Sequence, residues 1–398
     1  MIFRATASRF VASLALGVLL GCTPGCHAPA PQVGGPSASS VVSPPAEATI
    51  AELVLALELD GVVPQELRQE LLDTIDLAVS RCGPPVDGEA ESATAERFFT
   101  TTDQALIDRG FIFPPRGLVE LLHHALQPRT LTRADYERCL TLPENDRRIE
   151  MITRRQEQGG PFHVADCDIT ALITLAVAER LGHPVSMVRI PNHVFLRWSS
   201  PTLTMNWDTN IAHSYPDRNY TARHGVTAEG RTHLGWMGDM PRVRVTSTWL
   251  CTIGHWHDRH GRHAAAGAAY RRAVRTDPGD LEAANALAWF LATCEDGAFR
   301  DAAEAAVIAG PLVALWPRSA WVDTLAAAQA ELGDFAAAVA TERCAPRAGA
   351  TATGTLDTTE PASDPDDAVR AYCRGMTYRE GVAAGVIYVP RELLPYED

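Results

Sequence analysis

A thiol, an imidazole and a carboxylate follow one another across the middle of this chain. Cys167 lies in HVADCDITALITLAVAERLG, His193 in VSMVRIPNHVFLRW and Asp208 in MNWDTN. A thiolate is a nucleophile, an imidazole can take its proton and pass it to a leaving group, and an acid can fix the imidazole's orientation. Together they are the minimum set for cleaving or transferring an acyl group through a thioester. Asn192, Arg197 and Trp207 stand beside the histidine and the acid and are candidate substrate-binding residues. Arg197 is equally suited to an ion pair within the fold.

Positioning these groups requires a helix and two strands. Asp166 is a suitable cap for a helix starting at Cys167. Ile169, Leu172, Ile173, Leu175, Val177 and Leu181 make that helix apolar nearly all round, which predicts burial. Gly182 ends it, and Pro184 blocks its continuation. VSMVRI reads as a β-branched strand. HVFLRW reads as the next, with His193, Phe195 and Arg197 on one face and Val194, Leu196 and Trp198 on the other. SSPT is the turn into a third strand, LTMNWD.

At a helix N-terminus, unpaired N–H groups and the positive end of the dipole favour thiolate over thiol. Asp166 and Asp168 oppose this, because negative charge raises a thiol pKa. An ion pair with protonated His193 would outweigh them. An oxyanion would be held by the backbone N–H of Cys167 and one upstream donor, for which Gln156, Gln158 and His163 are the unranked candidates.

The segment from Asp166 to Asn210 resembles the core of the transglutaminase-like superfamily, a papain-like fold of thiol enzymes. The resemblance rests on a Cys opening a buried helix, AERLGHPV closing it, a strand with PNHVFLRW, and NWDT after a turn. It is especially similar to the bacterial branch in which this core is joined to tetratricopeptide repeats. The resemblance implies Cys167 as nucleophile, His193 as general base and acid, and Asp208 as the orienting group. It also implies a protein or peptide substrate and no cofactor. Eukaryotic transglutaminases usually carry a Trp beside the Cys. Asp166 and Asp168 stand there instead, which bears against glutamine crosslinking more than against thiol catalysis.

The chain ends set the context. Arg4 and Arg9 precede FVASLALGVLLG, an apolar stretch too short for a good membrane span. Leu19-Leu20-Gly21-Cys22 resembles the bacterial lipobox, which implies cleavage before Cys22 and its lipidation. Thr23 follows in place of the Asp of inner-membrane retention. The expected location is the bacterial cell envelope, lipid-anchored in the outer membrane and facing the periplasm. The expected organisation is a signal peptide (1–21), a Pro/Ser/Gly/Ala-rich tether (22–49) and a helical lead-in (50–146). A catalytic core (147–246), tetratricopeptide-like repeats (247–346) and a polar linker with tail (347–398) follow. Thr132 is a candidate cap within the lead-in. The fold class is thus an α+β papain/transglutaminase-like core with an all-α repeat domain behind it.

The repeat reading rests on Leu250, Ile253, Gly254, Gly261, Ala266, Tyr270, Ala273 and Pro278 in a first copy. A second, looser copy carries an insertion, and a third restores the pattern at Leu325, Ala326, Gly333 and Ala338. Such arrays bind protein partners in grooves between helices. The net charge of −14 argues against nucleic acid and against anionic lipid, leaving the lipid anchor as the membrane contact. Nine cysteines in an exported chain allow disulfides; Cys82 with Cys139, and Cys344 with Cys294 or Cys373, are possible pairs. His255, His257, His260 and His263 cluster, but with no thiol at ligand spacing they read as part of the first repeat rather than as a metal site. Asn219-Tyr220-Thr221 fits a glycosylation sequon, which a bacterial lipoprotein would not use. Two other readings compete with the enzyme: a catalytically idle core plus repeats serving as a protein-binding scaffold, and a metal-binding lipoprotein.

Overall fold

Thr49 opens the first helix through a reciprocal cap. Its hydroxyl accepts the Glu52 N–H at 3.3 Å, and the Glu52 carboxylate accepts the Thr49 N–H at 3.0 Å, so two otherwise orphaned donors are satisfied. From this cap onward, the computed structural model describes residues 48–84, 86–112, 121–130, 157, 160–344 and 365–387. The fold is a mixed α+β one dominated by helix.

Helices α1 (Ile50–Glu58), α2 (Gln65–Cys82) and α3 (Glu91–Arg109) come first. A two-residue strand β1 (Phe111–Ile112) and a short helix α4 (Leu122–Ala125) follow. β1 pairs in parallel with β2 (His163–Val164). Helix α5 (Cys167–Leu181) leads into strands β3 (Val185–Ile190), β4 (His193–Ser199) and β5 (Thr204–Trp207), then helices α6 (Asp217–His224) and α7 (Ala228–Leu234) and strand β6 (Asp239–Met240). The sheet order is β5-β4-β3-β6, with every neighbouring pair antiparallel.

The alternation along β4 gives the sheet two buried faces. Val194, Leu196 and Trp198 join the core built by α5 and α1–α3. Phe195, with Val188 and Ile190 of β3, packs instead on Tyr220, Leu234, Trp236 and the fully buried Trp321. Trp321 comes from a helical array behind the sheet. That array comprises α8 (Arg242–Arg259), α9 (His263–Thr276), α10 (Leu281–Thr293), α11 (Ala302–Leu315), α12 (Ser319–Glu331), α13 (Phe335–Glu342), α14 (Pro365–Cys373) and α15 (Tyr378–Ala383).

The small residues of the first hairpin have a steric reason. A β-carbon on Gly254 would stand 2.7 Å from the Tyr270 ring, so only glycine lets α8 and α9 approach this closely. Gly333, at φ +83°, turns the chain between α12 and α13. Glu58 ties the lead-in to the array. Its carboxylate, 8 % exposed as a residue, accepts the Leu122 and His123 N–H groups at 2.8 Å and the Trp249 indole N–H at 2.7 Å.

Three expectations change. Helix α8 starts at Arg242, before the expected repeat boundary, and its Val245, Trp249 and Leu250 belong to the core of α5. Residues 365–387, expected within a polar tail, supply α14 and α15, whose Ala371, Tyr372 and Ile387 extend the array core. None of the possible disulfides that the described residues can report on is formed: Cys82, Cys294, Cys344 and Cys373 are free thiols. The Cys82 sulfur is engaged by Phe98 O and the Thr102 hydroxyl. The signal peptide, Cys22, all but the last two residues of the tether, Thr132 and Cys139 lie outside the described residues. Among those described, no helix is long and apolar enough to cross a membrane.

Candidate active site

Asp166 caps α5, its Oδ1 accepting the Ile169 N–H at 3.2 Å. Gly182 ends the helix in the left-handed conformation at φ +69°, a geometry that costs glycine nothing. Cys167 is therefore the first helical residue, and it is half-buried. Its sulfur accepts the backbone N–H of Val194, the residue directly after His193. The end of α5 thus meets the start of β4.

β3 and β4 are joined by the two-residue turn Pro191-Asn192, with Ile190 paired to His193. Asn192 is exposed and has φ +57°, a conformation asparagine tolerates better than most side chains. Pairing of Leu196 with Trp207 carries the following Asp208 opposite Phe195, on the same sheet face as His193. The two side chains are diagonal neighbours, and His193 Nε2 lies 2.8 Å from Asp208 Oδ2. Asp208 is held in turn: its Oδ1 accepts the Asn210 N–H at 3.0 Å, and its own N–H donates to His213 O at 2.9 Å. The Thr170 and Thr209 hydroxyls share a hydrogen bond of 2.8 Å, which ties the first turn of α5 to the residue after Asp208. The end of α5 that carries Cys167 is thereby brought to the strands that carry the His193–Asp208 pair.

The electrostatics oppose a free thiolate. Burial pushes the Cys167 thiol well up, and the charges of Asp168 and Asp166 push it further; the Val194 N–H works the other way. The S–H donates to Asp168 Oδ1 at 3.6 Å. Burial also raises Asp168, against the thiol hydrogen bond and the charges of His193 and Arg189. Burial, then Asp168, pushes Asp166 up to about 7.

The candidate substrate-binding residues have other work. Arg197 is buried and donates to Asn206 Oδ1 at 2.8 Å, Met237 O at 2.6 Å and Asp217 Oδ1 at 2.9 Å. Trp207 is buried, stacks on Phe99 with ring centres 5.3 Å apart, and donates its indole N–H to Asp103 at 2.8 Å. Both are structural, because their polar atoms are already satisfied inside the fold. Asn192 is accounted for by its turn. His163 is no oxyanion donor: its Nδ1 faces Ala125 O at 3.0 Å and its Nε2 faces Glu70 Oε1 at 3.3 Å. Gln156 and Gln158 lie outside the described residues.

Three residues outside the candidate triad surround the site. One is Asp168, by its contact with the thiol. The second is His224, whose ring stacks on His193 with centres 5.2 Å apart. Burial lowers the His224 pKa, with the His193 charge adding, and its Nδ1 stands 3.2 Å from Pro191 O. The third is Tyr220, stacked on Phe195 at 4.0 Å, its hydroxyl buried and without a hydrogen-bond partner. Tyr220 and His224 line a cavity of about 600 Å³ with Asp208, Tyr215, Arg218 and Arg223. This cavity adjoins the Asp208 side of the pair rather than the thiol.

Asp208 fixes the His193 ring, and the Cys167 thiol lies at the neighbouring helix end with its S–H on Asp168. Comparison with protein-family models, with curated proteins and with solved structures finds no match.

Proposed function

We propose that the chain is an envelope-anchored thiol enzyme of transglutaminase-like type. It hydrolyses or transfers acyl groups at peptide or isopeptide bonds. The observation that carries this reading is the joint placement of Cys167 beside the Val194 N–H and of His193 Nε2 on Asp208 Oδ2 at 2.8 Å. The helix hairpins behind the sheet support a tetratricopeptide-like array that presents protein substrates or partners. The lipobox at Cys22 supports the periplasm-facing anchor.

Asp208 accepts from Nε2, so Nδ1 is the nitrogen left to exchange a proton with the thiol. His193 takes the S–H proton as Sγ attacks the carbonyl carbon. The oxyanion gathers at the α5 N-terminus, where the Cys167 N–H is an available donor. The imidazolium then protonates the amine, the C–N bond breaks, and a thioester remains. Water or a second amine, deprotonated by His193, attacks the thioester and the thiol leaves with its proton restored. No other group is required.

One observation favours the scaffold reading. Asp168 accepts from the thiol, and burial, then the charges of Asp168 and Asp166, push the Cys167 thiol up. Iodoacetamide labelling at near-neutral pH separates the two. The enzyme reading expects Cys167 to label faster than an unfolded-peptide thiol, and Cys167→Ala to abolish amide cleavage in envelope extracts. If Cys167 labels no faster and the variant changes no cleavage, the protein is a scaffold.

A further inference from the structure

Among the described residues, the clustered histidine that joins a convergent set of metal-type ligands is His263. His255 is exposed, His257 Nδ1 is buried without a partner, and His260 Nδ1 is spent on Trp256 O at 2.7 Å. His263 differs. It is the first residue of α9, and its Nδ1 lies 2.9 Å from Oδ1 of Asp258, near the end of α8. A thiol reaches the same point from the next hairpin: Cys294, directly after α10. The ligand atoms of Asp258, His263 and Cys294 all lie within 4.8 Å of one another.

We propose that Asp258, His263 and Cys294 bind a divalent, borderline-soft metal ion of the zinc class. The donor set decides the class. One sulfur, one imidazole nitrogen and one carboxylate oxygen match zinc, whereas magnesium and calcium take oxygen throughout. Three protein ligands fill three corners of a tetrahedron, and water completes it. The backbone N–H of Asp296 is directed at the Cys294 sulfur. Arg300 donates to the Cys294 carbonyl at 2.8 Å and fixes the loop that carries it. Cys294 is 1 % exposed, while the Asp258 side chain is 27 % exposed, so an ion reaches the site from the Asp258 side. On binding, the Cys294 thiol gives its proton to solvent and the sulfur–metal bond forms.

The site explains the irregularity of the second repeat copy. Residues 294–301 interrupt the regular spacing between α10 and α11, and this insertion supplies the thiol-bearing loop. A metal there joins the α8–α9 corner to the end of α10 and clamps two successive hairpins.

The test is independent of the acyl-transfer reading. The purified full chain is stripped with a chelator and titrated with Co²⁺, then with competing Zn²⁺. About one ion per chain is expected, with a thiolate-to-cobalt charge-transfer band in the ultraviolet. Cys294→Ser should abolish that band and Cys167→Ala should leave it. His263→Gln and Asp258→Asn should weaken binding by at least the roughly 10–100-fold typical of outer-shell changes. They also carry the test if Cys294→Ser does not fold, since neither side chain is fully buried. Binding below one ion per chain, a band that survives Cys294→Ser or is lost in Cys167→Ala, or unchanged affinity in both other variants overturns the proposal.

Discussion

His193 and Asp208 are joined at 2.8 Å through a diagonal placement on neighbouring strands, so the sheet register itself commits Nε2 of the imidazole to the carboxylate. Asp208→Asn preserves the shape of that contact but removes the charge that stabilises an imidazolium. The expected outcome is a roughly 10²–10⁴-fold drop in acylation rate, with the thermal midpoint little changed. Release of p-nitrophenolate from p-nitrophenyl acetate reads the acylation step, with Cys167→Ala as the zero. A variant that acylates at the wild-type rate would remove Asp208 from the mechanism.

Asp168 should act as a brake on the thiol. Its Oδ1 accepts the Cys167 S–H at 3.6 Å and its charge disfavours the thiolate. Asp168→Asn removes that charge with little change of shape. Each unit by which the thiol pKa falls gives about a tenfold gain in thiolate at a fixed pH below it. Iodoacetamide labelling of Cys167 should therefore be faster at neutral pH in the variant. An unchanged labelling rate would show that burial alone holds the proton.

Asp166 gives a stability effect with a defined sign. Burial and Asp168 raise it from 3.8 to about 7, so the folded chain holds this proton more tightly than the unfolded one. Below 3.8 both states are protonated and the group contributes no difference. Between 3.8 and about 7 the native state binds more protons, so stability falls as pH rises, and above about 7 the cost is complete. Asp166→Asn keeps a side-chain oxygen for the Ile169 N–H but has no proton to lose. The thermal midpoint of the variant should gain on the wild type as pH rises through this window and then hold a constant lead. A pH-independent difference would place the raised value in doubt.

What the sequence made legible was local. Asp166 as cap, Gly182 as terminator, the VSMVRI and HVFLRW strands and the SSPT turn follow from propensity and period 2 alternation, and each is present. What it hid was set by distant chain. Arg197 and Trp207 flank the candidate triad and so read as substrate contacts, yet Met237 lies 40 residues from Arg197 and Asp103 lies 104 residues from Trp207. The stacking of His224 on His193 and the approach of Cys294 to His263 likewise depend on how separate elements pack. No spacing rule within one element could have located them.

Arg197 tests that correction. Its guanidinium is buried, and it satisfies Asn206, Met237 O and Asp217 at once. Arg197→Met fills much of the same volume but leaves the buried Asn206 and Met237 acceptors without their donor. Loss of one partner from such a network costs about 3–5 kcal/mol when the charge left behind is buried. Asp217 is exposed, so a smaller loss of about 2–3 kcal/mol is expected from the stranded neutral acceptors. Urea unfolding measures it. A substrate-binding role predicts the opposite pattern, unchanged stability with weakened substrate affinity.

Gly254 and Tyr270 test the close approach of α8 and α9. Gly254→Ala gains up to about 1 kcal/mol of helix propensity, but its methyl group would stand 2.7 Å from a Tyr270 ring carbon. Tyr270 is 4 % exposed, so the ring cannot swing into solvent. Overpacking of this kind costs about 1–3 kcal/mol, and the net effect is destabilising. Tyr270→Leu alone opens a cavity and is destabilising too. In the double variant the new methyl group meets the space the ring has left, so the two losses should sum to more than the measured loss. A coupling energy above about 0.5 kcal/mol in that direction is the expected result. Simple additivity would mean that the hairpin relaxes around the methyl group, and that glycine is not what sets the spacing of these two helices.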